Sequence, residues 1–189
     1  MRVDQRIPRR LITHRLGHVC ASVWVAILTA HNCAAAEPRL EYDVKAAFLL
    51  NFTKFVEWPA ASFADADSAI AICILGRDPF GRNLDDIVQG ETVNSRKLVV
   101  RRLTQLPAPQ TCQVVYVGSL EKDISKTLRS LGQGVLTVGE GDNFIREGGM
   151  IAFVVENRRV RFDIRQSSAD NASLKLSSKL LNVARSVQK

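Results

Sequence analysis

"SAIAICILG", residues 68–76, decides how the rest of the chain is read. It is a continuous apolar run containing three isoleucines and closed by Gly76. Nothing in it alternates with polar residues, so a strand built from it is covered on both faces, as strands of parallel sheets are. Parallel neighbours need crossovers, and the sequence downstream supplies them.

The turn "GRDPFG" leads into a short helix near Arg82–Val88. "KLVVRRL" (97–103) reads as a second strand and "CQVVYVG" (112–118) as a third. "SLEKDISKTLRSLG" (119–132) predicts a helix with Ser119 as N-cap and Gly132 as stop. Its Leu120, Ile124, Leu128 and Leu131 share one face. "GVLTVGE" (134–140) is a fourth strand, and "GDNFIREGG" (141–149) a short helix or turn.

"MIAFVVENRRVRFDI" (150–164) then predicts two strands joined at Glu156-Asn157-Arg158, a hairpin. Val160, Phe162 and Ile164 alternate with Arg161, Asp163 and Arg165, one face buried and one wet. A last helix is expected from Ala169 to Val187, with Leu176, Leu180, Val183 and Val187 inside. Upstream, "AAFLLNFTKFVEWPA" (46–60) belongs to a helix over Glu41–Trp58, stopped by Pro59. Val44, Phe48, Asn51, Phe52 and Phe55 form its stripe. Leu49 and Leu50 lie off it, which leaves them for a dimer or partner interface, or for cover under a neighbouring helix.

Together these elements predict an α/β fold: a mostly parallel sheet flanked by helices, flavodoxin-like or Rossmann-like, with a C-terminal antiparallel hairpin and terminal helix. In a flavodoxin-like order the first strand sits beside the third, which brings Cys73 and Cys112 near neighbouring strands.

Residues 1–36 read as a cleaved signal peptide, and residues 37–189 as the domain. The leader has five arginines within residues 1–18, a 12-residue apolar run from Val19 to Ala30, and Ala34 and Ala36 before the expected cut. The run is shorter than the roughly 20 residues that span a bilayer. The whole chain carries 26 basic and 19 acidic side chains, a net +7. The leader takes 5 and 1 of these and leaves 21 against 18, or +3, which argues against nucleic acid as a partner. His14, His18 and His31 leave with it, as do Cys20 and Cys33. Cys73 and Cys112 remain; an even pair in an exported chain reads as a disulfide, two buried free thiols being the alternative.

Catalytic signatures are thin. Without histidine there is no Ser-His-Asp or Cys-His arrangement and no histidine metal ligand. No phosphate-binding glycine loop is present, and "SLEK" (119–122) fits S-x-x-K without its companion motifs. Asp85 and Asp86 are adjacent on a helix and face different ways. The expectation is no enzyme, no cofactor, no metal, and a role in binding or regulation.

Four segments in order, "YDVKAAFLLNFTKFVEWP", "ICILGRDPFG", "GVLTVGEGDNFIREGGMIAFVVENRRVRFDI" and "LKLSSKLLNVAR", resemble the YfiR-like periplasmic proteins, of YfiR/HmsC type. The resemblance implies a periplasmic regulator that holds down an inner-membrane diguanylate cyclase by contacting its periplasmic domain, limiting cyclic-di-GMP and biofilm formation. It also implies an OmpA-like outer-membrane lipoprotein that sequesters the regulator, a homodimer, and a disulfide matching Cys73 and Cys112. A second cysteine pair found in some members has no counterpart here. Apart from the resemblance, the least covered part of such a sheet is its edge hairpin with the adjacent last helix. That is the expected docking surface, with Arg159, Arg161 and Arg165 as a basic row beside Phe153; a merely solvated edge is the alternative. A periplasmic small-ligand binder is the other reading, its site at the strand ends near Gly76–Phe80.

Overall fold

The computed structural model describes residues 36–118 and 123–189, and its first element is the helix α1 (Ala36–Phe55). The expected leader falls outside the described residues apart from Ala36, as do Ser119 and Lys122. Helix α1 stops three residues short of the expected Trp58, because Val56 and Glu57 form a short strand, β1 (Val56–Glu57). Trp58 serves instead as an anchor, its Nε1 donating to the Gln113 carbonyl at 3.1 Å.

The buried face of α1 is turned from the expected stripe. Lys45, Ala46, Leu49, Phe52 and Thr53 are buried, Phe48 and Phe55 lie at the margin, and Val44 and Asn51 are exposed. Leu49 has no exposed surface and packs in the main core. It is therefore unavailable to a partner, and Leu50 also packs against that core.

Strand β2 (Ile70–Leu75) is buried at all six positions. Ile70, Ile72 and Ile74 enter the core beneath α1, while Ala71, Cys73 and Leu75 enter a second core on the opposite face. The chain continues through α2 (Arg82–Val88), β3 (Thr92–Val93), β4 (Arg96–Leu103) and β5 (Val114–Val117). Then come α3 (Ile124–Leu131), β6 (Leu136–Glu140), α4 (Gly141–Arg146), β7 (Ile151–Glu156) and β8 (Arg159–Arg165). Asp123 caps α3 by accepting from the Lys126 N–H at 2.9 Å, so the cap is not the expected Ser119.

With a last strand β10 (Ser186–Gln188), the sheet order is β10-β8-β7-β6-β5-β2-β4-β3. From β4 to β7 every neighbouring pair is parallel, and β7–β8 is the antiparallel hairpin. The first long strand does lie beside the third, β2 against β5. Helices α1 and α2 cover one face, and α3 and α4 the other.

The expected final helix does not exist. Residues 166–188 form α5 (Gln166–Asn171), β9 (Lys175–Leu176), α6 (Ser178–Val183) and β10 (Ser186–Gln188). Ser173 adopts a left-handed φ of 61°, and Ser177 caps α6. Strand β9 pairs antiparallel with β1, and β10 pairs parallel with β8. The hairpin is consequently not the sheet edge, because β10 covers it from Asp163 to Arg165.

Candidate functional site

Two parallel strands bring side chains to a buried lysine. Glu140 closes β6, Tyr116 lies in β5, and Lys45 reaches down from α1. The Lys45 ammonium stands 2.9 Å from Glu140 Oε1 and 2.5 Å from Glu41 Oε1. Tyr116 donates to the same Glu140 oxygen at 2.6 Å, and Lys45 Nζ lies 4.4 Å from the centre of the Tyr42 ring. Burial works to lower Lys45, but hydrogen bonds to Glu41 and Glu140 and the Glu140 charge outweigh it and hold the ammonium above its ordinary value. Burial, then Glu140, pushes Tyr116 far up, so it remains a protonated donor. No signal in the sequence marked this cluster beyond one lysine inside an apolar helix segment.

A crevice opens above it at the reversal point between β2 and β5, the location that open α/β sheets favour for ligands. One lobe of about 320 Å³ is lined by Tyr42, Arg77, Asp78, Pro79 and Tyr116. A second lobe of about 490 Å³ shares Tyr42, Asp78 and Pro79 and extends along α2. Phe80 meets Tyr42 and Tyr116 edge-on, at 5.7 and 4.8 Å between ring centres. The Asp78 carboxylate accepts from the Phe80 N–H at 2.7 Å and from Arg102 Nε at 2.7 Å, which fixes the loop. Arg102 also grips Asp85, and that hydrogen bond is the main reason the Asp85 carboxyl sits below its ordinary value. This is the Gly76–Phe80 region expected for a small ligand.

The expected partner surface is only partly a surface. Arg159 and Arg161 are exposed. Arg165 is half-buried, its Nη1 donating to the Ile145 carbonyl at 3.2 Å. Phe153 is 1% exposed and packs on Phe48 and Phe52, with ring centres 6.1 and 5.8 Å away. Its aromatic surface is thus spent inside the core. Arg185 makes two hydrogen bonds to buried Asp163, at 2.8 and 2.5 Å.

Cys73 and Cys112 are bonded, with Cα atoms 5.9 Å apart, and both are buried. Among the described residues no helix is long and apolar enough to cross a membrane, and no cluster of three or more His, Cys, Asp or Glu side chains could hold a metal ion.

No curated protein matches the chain. A family profile described as YfiR/HmsC-like matches residues 42–185. The match runs from the first aromatic of α1 to the arginine that holds Asp163, and so takes in nearly all of the sheet and its covering helices. The chain belongs to the YfiR/HmsC-like family.

Proposed function

We propose that the protein is a periplasmic negative regulator without catalysis of its own. It is exported by a cleaved leader and, as a homodimer, binds the periplasmic domain of an inner-membrane diguanylate cyclase. Repression lowers cyclic-di-GMP and biofilm formation, and an OmpA-like outer-membrane lipoprotein relieves it by sequestering the regulator. Family membership over residues 42–185 carries this reading.

Deletion of the gene tests it. Cyclic-di-GMP, measured by mass spectrometry of cell extracts, should rise and should fall again when the full chain is restored. A chain lacking residues 1–36 should fail to restore it, and mature protein should begin near Glu37. An unchanged nucleotide level on deletion would discard the reading.

The crevice above Lys45 favours a second reading, a periplasmic binder of a small ligand that feeds another membrane sensor. A thermal-shift screen of the purified protein against small metabolites, repeated with Tyr116→Phe, tests that alternative.

A further inference from the structure

The sheet is left open along β4. Its end strand β3 pairs with β4 only through Thr92 with Lys97 and Val93 with Arg96. The Leu98 N–H still reaches the Glu91 carbonyl at 3.1 Å. Beyond Leu98 no strand among the described residues pairs with the outer side of β4, while its inner side pairs with β2 as far as Leu103.

Two hydrogen bonds fix which main-chain groups face outward. The Leu98 N–H points out to Glu91, and the Leu103 carbonyl points in, accepting from the Gly76 N–H at 3.0 Å. Successive residues of a strand turn their N–H and C=O to opposite sides. Val100 and Arg102 therefore present both groups to the open side, and Leu98 presents its carbonyl. A row of unpaired donors and acceptors at strand spacing is complemented along its length by another extended chain. A lipid surface or a compact small molecule offers no such row.

The two faces beside this edge differ. On one, a groove of about 500 Å³ runs between α2 and β4, with Val88, Leu98 and Val100 in its lining. Arg102 lies on this face and is committed to Asp78 and Asp85. On the opposite face stand Lys97, Val99 and Arg101, of which Lys97 and Arg101 are exposed. Neither cation has a carboxylate at ion-pair distance among the described residues. The Arg101 Nη1 donates to the Thr111 carbonyl, and the loop "TQLPAPQT" (104–111) contains no acid.

Charge also argues against a second copy as the added strand. Antiparallel self-pairing about Val100 would gather Lys97 and Arg101 of both copies on one face without a counter-charge. Cations on an edge strand are a usual guard against such pairing. A strand with carboxylates on that face meets no such penalty.

We propose that the open edge of β4 takes up an extended segment of a partner protein as an added strand. The segment alternates apolar residues, set toward α2, with carboxylates set toward Lys97 and Arg101. Identifying that partner with the cyclase rests on the regulatory reading above; the strand addition does not.

Hydrogen exchange followed by NMR reads the edge directly. In the free protein the Val100 and Arg102 amides should exchange faster than those of Val99 and Arg101, which face β2. A synthetic peptide of alternating valine and glutamate, at saturation, should slow Val100 and Arg102 about tenfold or more; a valine–lysine peptide should not. Val100→Pro removes an outward N–H at a position where an edge strand tolerates proline. It should melt within about 3 °C of wild type and bind the glutamate peptide about tenfold more weakly. Lys97→Glu with Arg101→Glu should reverse the preference to the lysine peptide. Absence of peptide binding, or binding that leaves Val100 and Arg102 unprotected, overturns the proposal. So does a free protein in which these two amides are already protected within a dimer that Val100→Pro dissociates, which would assign the edge to a second copy. In the deletion strain Val100→Pro should leave cyclic-di-GMP at the deletion level, and full repression by it overturns the edge as the dock for the cyclase. A deletion that leaves cyclic-di-GMP unchanged overturns the regulatory reading, and the peptide result is read apart from it.

Discussion

Lys45 and Glu140, 95 positions apart in sequence, meet at 2.9 Å with the lysine only 2% exposed. The pair joins the first helix to the end of a central strand. Lys45→Met removes the cation and leaves Glu140 to Tyr116 alone, which should destabilise the fold by about 1–3 kcal/mol. The cost stays below that of a fully buried pair because Glu140 is partly solvated. Adding Glu140→Gln should recover part of it, since no uncompensated carboxylate then remains at that position. Urea denaturation of the single and double variants measures both steps; an unchanged midpoint for Lys45→Met would remove the pair from the stability account. Because Lys45 is raised, its contribution is present through neutral pH and is lost only at alkaline pH, above its unfolded value of about 10.4.

Asp163 responds to acid. Burial alone would raise it, but the hydrogen bonds from Arg185 and Ser186 and the Arg185 charge hold it below its ordinary value. Its contribution is therefore present above about pH 4 and lost as pH falls through the lower folded value. Asp163→Asn should be less stable by about 1–2 kcal/mol at neutral pH and should converge on wild type at low pH. Parallel stability curves for the two proteins from pH 7 to pH 3 would contradict this.

The Cys73–Cys112 bond closes a segment of 39 residues between β2 and the start of β5. In the chain-entropy picture such a loop contributes about 3–4 kcal/mol. The double serine variant should lose about that much in denaturant unfolding. Alkylation of unreduced, denatured mature protein should label no cysteine, and two labelled thiols would refute the bond.

Phe144 is clamped between two glycines. A Cβ placed on Gly139 would come within 2.4 Å of its ring, and one on Gly149 within 2.1 Å. Gly139→Ala should cost about 1–3 kcal/mol through overpacking. Phe144→Leu in the same chain should return some of that loss, which a calorimetric comparison of the three variants resolves. If the paired variant is worse than the sum of the singles, the ring is not what the new methyl meets.

The sequence made the two central strands legible because Ile70–Leu75 and Val114–Val117 are apolar runs each followed by glycine. The short helix expected near Arg82–Val88 was legible too. The end of the chain was not. Leu176, Leu180, Val183 and Val187 fall at helical spacing, yet Leu176 and Val187 lie in strands. Their pairing with β1 and β8 is long-range, and helical periodicity cannot register it. Ser177-Ser178, the start signal of α6, lay inside the apparent helix and was overridden by the apolar stripe. The same limit hid Lys45. The aromatics drew the predicted stripe one residue away, and the carboxylate that makes a buried lysine tolerable lies far along the chain.

The β1–β9 pair joins Val56 to Leu176, about 120 positions apart, and the Ser177 N–H donates to the Phe55 carbonyl at 2.9 Å. A chain that emerges N-terminus first, from a ribosome or a translocation channel, has no partner for the exit of its first helix until Leu176 has appeared. Closure of the first helix's exit is thereby delayed by about 120 residues of synthesis or passage, since contacts so distant in sequence form slowly.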